Sequence, residues 1–239
     1  PPGYSWMQHK LPLLFLPGLL NSPEIWSHQV ENLAELTTCF VGDLTVADTI
    51  SGLAQAVLAH APDRFALVGL SMGGYVAFEI MRTAPDRVER LGLVDTTARP
   101  DAPEQSARRI ALVAQARGQG LDEVIPQLLP GFLSPDGAKD PPMVQSVSEM
   151  AHEIGVDAFA RQQSAIMGRP DSRPDLPSIA CPTVVIVGQE DTMTGGEIAQ
   201  EMVDGIPDAR LAEIPNAGPL SPLENPPAVT AALKAWLDI

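Results

Sequence analysis

A serine at position 71 stands between two glycines, in the order Gly69-Leu70-Ser71-Met72-Gly73. The run before it, 65–68, is wholly apolar, and the run after it, 75–81, has the apolar spacing of a helix. A sharp strand-to-helix turn of this kind holds a serine at positive φ at the carboxyl end of a strand, and the flanking glycines avoid a clash. We therefore predict that Ser71 is a nucleophile and that the N–H of Met72 binds a developing oxyanion.

The elements that must position Ser71 alternate between strand and helix. Short apolar runs, typical of strands buried on both faces, are followed by segments with helical spacing, and the connections have helix length. This alternation predicts an α/β fold with a mostly parallel, twisted sheet of about six strands and helices on both faces. The predicted strands are 13–16, 38–43, 65–68, 88–95, 183–187 and 210–214, and the main helices are 22–36, 49–60, 75–81, 197–204 and 226–237.

The alternation stops for about eighty residues after Asp95, where helical patterns follow one another without a convincing strand. Gly and Pro interrupt these patterns, as at Pro130-Gly131 and Pro141-Pro142. We interpret 1–99 and 176–239 as the core of one domain. The segment 100–175 is then a helical insertion that covers the carboxyl edge of the sheet as a cap.

Chain order provides a second test of Ser71. In a hydrolase of this layout, the acid and then the histidine follow late strands, in the order Ser, Asp, His. Asp191 lies just after the 183–187 strand, where a carboxylate could orient an imidazole. The alternative for Asp191 is a helix N-cap, a common role for aspartate.

Several motifs together resemble the α/β-hydrolase superfamily, most closely its small capped esterases and enol-lactone hydrolases. They are the turn Pro17-Gly18-Leu19, the turn 69–73, the insertion, Gly188-Gln189-Glu190-Asp191, and the stretch 214–226. The resemblance covers nearly the whole chain. It implies an acyl-enzyme mechanism with nucleophile Ser71, acid Asp191 and an oxyanion hole formed by the N–H groups of Leu19 and Met72.

Position 219 departs from this pattern. The family places its catalytic histidine after the glycine that here is Gly218, but this chain has Pro219, and no histidine follows His152. Proline has neither a side-chain proton acceptor nor an N–H. If the resemblance holds, the triad lacks its general base.

Four residues besides the triad positions are candidates to line the substrate pocket: Leu20, Trp26, His28 and His152. His28 and His152 are also the candidates for a substitute base, although solvent-facing or capping roles are the alternative for both. His9 and His60 are expected at the surface or at a helix end.

Composition limits the partners. Thirty acidic and fifteen basic residues give a net charge of −15, which disfavours nucleic acid and anionic membranes as partners.

Cys39 and Cys181 are expected to be buried thiols rather than a disulfide. Residues 1–10 show no signal peptide, so we expect a cytoplasmic protein, monomeric or homodimeric, that needs no cofactor and no metal.

Three functions remain open at this level. The first is a hydrolase of small esters or lactones whose parent form carries histidine at position 219. The second is a binding protein that keeps the pocket without turnover, and the third is a lyase or isomerase that uses another base. An ester-hydrolysis assay of the chain beside its Pro219→His form separates the first function from the others.

Overall fold

The computed structural model describes residues 10–238. Its six strands form one sheet in the order β2-β1-β3-β4-β5-β6, and every neighbouring pair is parallel. This confirms the predicted sheet. The strands are β1 (Leu13–Leu16), β2 (Cys39–Val41), β3 (Phe65–Leu70), β4 (Val88–Val94), β5 (Thr183–Gly188) and β6 (Ala209–Ile214).

Helices cover both faces of the sheet because successive strand residues point to opposite sides. In β1, Leu13 and Phe15 join one buried cluster and Leu14 and Leu16 join the other. The α-helices of the core are α1 (Ser27–Leu33), α2 (Ile50–His60), α3 (Met72–Thr83), α7 (Glu197–Gly205), α8 (Ser221–Glu224) and α9 (Pro226–Leu237). Helices α1 and α9 pack on the Leu13 side, and α2, α3 and α7 pack on the Leu14 side.

The segment between β4 and β5 contains helices and no strand. Its helices are α4 (Pro103–Gln119), α5 (Leu121–Phe132) and α6 (Pro141–Met167). Gly155, with φ 83°, breaks α6 into two helical halves. We refer to residues 100–175 as the helical insertion.

The predicted helix 22–36 is too long. The chain first makes a 3-10 turn at Pro23–Trp26, capped by the Ser22 hydroxyl, and only then forms α1. The predicted strand 38–43 is likewise shorter in the structure, where it is β2. Between residues 10 and 238, no helix is both long enough and apolar enough to span a membrane.

Candidate active site

Ser71 joins β3 to α3 with φ 51° and ψ −113°, which confirms the predicted positive φ. A Cβ on Gly69 would overlap the Gly73 carbonyl, and a Cβ on Gly73 would lie 2.5 Å from the carbonyl oxygen of Leu16. Glycine is therefore required on both sides of the turn. The Thr96 hydroxyl donates to the Ser71 carbonyl at 2.8 Å and helps to hold this strained backbone.

The backbone amides of Met72 and Leu19, near Ser71, have no acceptor among residues 10–238. Met72 is the first residue of α3, so its N–H has no partner within the helix. The carbonyl of the Gly18–Leu19 peptide accepts the Asn21 N–H at 3.1 Å. In a trans peptide the N–H points in the direction opposite to the carbonyl, so the Leu19 N–H points away from Asn21. Both amides are free to donate to a bound oxyanion.

Leu20, the next residue in this loop, does not line the cleft. Its N–H donates to the Gln162 side-chain oxygen at 3.0 Å, and its side chain is 1% exposed within the core. Gln162 also donates to the Leu44 carbonyl at 3.0 Å, so a buried residue of α6 fixes the loop beside Leu19. The predicted substrate contact of Leu20 is thus corrected to a role in the core.

Ser71 opens into a cleft between the carboxyl edge of the sheet and the helical insertion. The sheet side includes Leu19, Ser71 and Pro219, and the insertion contributes Arg109 and Phe132. The cleft thus brings together the proposed nucleophile, one proposed oxyanion donor and the position of the expected histidine.

Pro219 lies in the loop that follows β6. Its neighbour Gly218 donates its N–H to the Glu224 carboxylate at 2.6 Å, and the other oxygen of Glu224 accepts the N–H and the hydroxyl of Ser134 in the insertion. The half-buried carboxylate of Glu224 therefore ties the Pro219 loop to the insertion. The loop makes no sheet hydrogen bond at position 219 that proline would lose.

Asp191 is buried at the end of β5 but is not among the residues that line the cleft. Its carboxylate accepts the N–H groups of Met193 and Thr194, each at 2.9 Å, and the hydroxyl of Thr194. These are local bonds that hold the turn after Asp191, and the residue that caps α7 is Gly196 rather than Asp191. The loop nevertheless lies beside the Pro219 loop, because the Glu190 N–H donates to the Ala217 carbonyl at 2.8 Å.

A second carboxyl, that of Asp95, lines the cleft and was missed by the sequence analysis. It follows β4 with φ 45° and is 2% exposed. One oxygen accepts the Gly188 N–H at 2.9 Å, and the other accepts the N–H and hydroxyl of Ser221 at 3.0 and 2.6 Å. Burial, and then the charge of Asp191, raises the pKa of Asp95 well above its usual value.

The pH dependence of stability should report this shift. The unfolded Asp95 carboxyl loses its proton near pH 4, whereas the folded one keeps it, so the stability it contributes is complete below about pH 4 and falls as pH rises toward the folded pKa. The free energy of unfolding of the unmodified chain, minus that of Asp95→Asn, should therefore fall with pH by up to about 1.4 kcal/mol per unit. Urea unfolding of both forms between about pH 5 and 8 measures this difference in the free energy of unfolding. A difference that does not change with pH would contradict the raised pKa of Asp95.

None of the histidines within residues 10–238 lines the Ser71 cleft. The ring nitrogen Nδ1 of His28, in α1, bonds the hydroxyl of Thr230, in α9, at 3.0 Å. The exposed His152 pairs with Asp122 at 2.8 Å. His60 ends α2, and His9 lies outside the described residues. The predicted pocket contacts of His28 and His152, and their candidacy as the base, are corrected accordingly.

Trp26 does not contact the cleft either. Its side chain is 0% exposed, its ring centroid lies 4.6 Å from that of Phe15, and its Nε1–H donates to the Leu16 carbonyl at 3.2 Å. The 3-10 turn directs this ring into the core, so its role is packing. Within the described residues, no group of three or more His, Cys, Asp or Glu could hold a metal ion.

A parallel sheet with a serine on a strained turn at its carboxyl edge is the arrangement of the α/β hydrolases. The chain belongs to the alpha/beta hydrolase family, whose sequence model matches residues 13–233. It is similar to a thermophilic esterase from Thermogutta terrifontis, solved with malate bound, with 30% identity, a TM-score of 0.87, and coverage of 95% of this chain and 89% of that one.

Two further relatives are similar over most of their length. The pimeloyl-[acyl-carrier protein] methyl ester esterase of Nitrosomonas europaea is 26% identical over 86% of this chain and 87% of its own. The enol-lactonase from Burkholderia xenovorans LB400 shares the fold, with a TM-score of 0.83, 24% identity, and coverage of 96% of this chain and 92% of that one.

Proposed function

We propose that this protein is a serine-nucleophile hydrolase of small carboxylic esters or lactones whose turnover is impaired because Pro219 occupies the position of the general base. The observation that carries the proposal is the cleft itself. It joins Ser71 at positive φ, Leu19, whose amide has no acceptor among residues 10–238, and Pro219. The names of the esterase and lactonase relatives support the substrate class.

The proposed reaction begins with attack of the Ser71 hydroxyl oxygen on the ester carbonyl. The N–H groups of Leu19 and Met72 stabilise the negative charge that develops on the carbonyl oxygen. Collapse of this intermediate expels the alcohol and leaves an acyl group on Ser71, and water then releases the acid. Both steps need a base at position 219, which passes the proton of the serine to the leaving alcohol and later passes a proton from water back to Ser71. Asp191 is the proposed acid that orients that base.

The helical insertion is proposed to act as a cap. Arg109 and Phe132 form part of the cleft from that side, and Glu224 links the insertion to the Pro219 loop through Ser134. A cap so attached excludes water from the cleft and selects substrates by shape.

A fluorophosphonate probe, which phosphonylates activated serines, tests the assignment of the nucleophile. The Pro219→His form should be labelled at Ser71 at least about 10³-fold faster than the unmodified chain, since the histidine activates the hydroxyl. Intact-mass and peptide mass spectrometry measure the rate and the site, and Ser71→Ala is the control that removes the label. Equal labelling rates in both forms, or a label on another residue, would contradict the proposal.

A binding function without turnover is the second candidate, favoured by Pro219 and by the absence of a histidine from the described part of the cleft. It predicts that Pro219→His changes neither labelling nor hydrolysis.

A further inference from the structure

A second cavity adjoins the Ser71 cleft beneath the helical insertion, and we call it the side cavity. Both cavities are lined by Leu19, Arg109, Gly131, Phe132 and Met193. Because the two cavities share these five lining residues, they lie side by side, within reach of one ligand whose ester is at Ser71. This extension is where the cleft can distinguish one ester from another.

The polar side chains of the side cavity are hydrogen-bond donors or amides, and no acidic side chain is among its lining residues. They are Gln105, Arg108, Arg109 and Gln163. Gln163 is 0% exposed, and its oxygen accepts from Arg109 Nη1 at 2.9 Å. This bond fixes the direction of the amide, and its Nε2 has no acceptor among residues 10–238. A buried donor without an acceptor points to a ligand that supplies one.

The charges around Arg109 leave a positive excess. The buried carboxylate of Asp101 pairs with both Arg109 at 3.1 Å and Arg169 at 2.8 Å. Burial by itself would raise the pKa of Asp101, but hydrogen bonds from Arg109, Ser106 and Arg169 hold it below its usual value, so the carboxylate stays ionised. Two guanidinium groups therefore share one anion.

Arg109 also has unused donors. Its Nε and Nη2 donate to Asp101 and its Nη1 donates to Gln163. A guanidinium has five N–H groups, so one N–H on each terminal nitrogen of Arg109 has no acceptor among residues 10–238. Two such donors match the geometry of a carboxylate.

We propose that the side cavity binds a carboxylate carried by the substrate, and that Arg109 and Gln163 Nε2 recognise it. Leu112 and Leu128 line the same cavity and can pack against the methylene groups that join this acid to the scissile bond. The substrates are then half-esters of dicarboxylic acids, or lactones with a free acid group. The ester part of this inference rests on the proposed function, whereas binding of the carboxylate does not.

Calorimetric binding to the unmodified chain tests the proposal without turnover. The probes are the monomethyl esters of succinate, glutarate and adipate, each compared with the uncharged methyl ester of the same chain length, from methyl butanoate to methyl hexanoate. We expect at least one half-ester to bind about 10- to 100-fold more tightly than its neutral partner. No preference at any of the three lengths would overturn the proposal.

Variants assign the preference to the side cavity. Arg109→Met should abolish it, and Gln163→Leu, which leaves the Asp101 ion pairs in place, should reduce it severalfold. Arg117→Gln is the matched control, because Arg117 is exposed on the same helix and does not line the side cavity. A preference that survives both Arg109→Met and Gln163→Leu would overturn the assignment.

Hydrolysis by the Pro219→His form separates the two proposals. If it hydrolyses neutral esters while the half-esters show no binding preference, the carboxylate site is wrong and the hydrolase function stands. If the half-esters bind through Arg109 and the Pro219→His form hydrolyses neither ligand class, the carboxylate site stands and the hydrolase function is wrong.

Discussion

The Pro219→His form should hydrolyse p-nitrophenyl butyrate at least about 10³-fold faster than the unmodified chain. The upper limit of this gain is about 10⁶-fold, because removal of the histidine from the subtilisin triad lowers kcat by about 10⁶. The gain is expected in kcat because the cleft that binds the ester is otherwise unchanged. KM should change little.

The pH profile and a second variant assign this gain to the imidazole. Activity of the Pro219→His form should rise through about pH 6.5, where an ordinary histidine loses its proton and becomes a base. Pro219→Ala is the matched control, because it removes the ring and restores an N–H without adding a base. An equal gain in Pro219→Ala would show that relief of a steric block, rather than a missing base, explains the result.

The second large effect concerns which carboxyl orients the base. In the Pro219→His form, Asp191→Asn should lower kcat by about 10⁴, the factor measured for the corresponding change in a serine protease, and Asp95→Asn should lower it less than about tenfold. An acid that stabilises an imidazolium must be ionised. Burial and the charge of Asp191 raise the pKa of Asp95 in spite of the hydrogen bonds that it accepts from Gly188 and Ser221, so Asp95 suits this role less well than Asp191.

Asp204→Asn, at an exposed carboxylate of α7, is the control for loss of one negative charge. Thermal unfolding midpoints of all variants separate loss of activity from loss of fold. If Asp95→Asn causes the large loss and Asp191→Asn does not, Asp95 is the acid, and Asp191 only holds its own turn through the bonds to Met193 and Thr194.

The parts of the site that follow from the sequence are those set by local backbone geometry. The Ser71 turn is predictable because the apolar run, the glycines and the helical pattern occur within about twenty residues and each restricts φ and ψ. The sheet is predictable for the same reason, since its strands are short apolar runs buried on both faces.

The residues that were missed or misplaced depend on contacts between distant segments. Asp95 appears in the sequence as the end of a strand, and its role emerges only when Gly188 and Ser221 surround it. The available signal was that Asp95, like Ser71, directly follows a buried strand. Trp26 was misplaced because a 3-10 turn, rather than the predicted regular helix, sets the direction of its side chain.

The central claim is that this protein is a serine hydrolase that lacks only its base. The Ser71→Ala substitution tests it most directly when hydrolysis is measured both in the unmodified chain and in the Pro219→His form. In the Pro219→His form, we expect Ser71→Ala to remove essentially the whole gain in p-nitrophenyl butyrate hydrolysis. In the unmodified chain, the same substitution should change the rate less than about tenfold. The two effects differ because residues that act as a unit are strongly non-additive. If Ser71→Ala has no effect in the Pro219→His form, or causes the same large loss in both backgrounds, Ser71 does not work with a base at position 219 and the account is wrong.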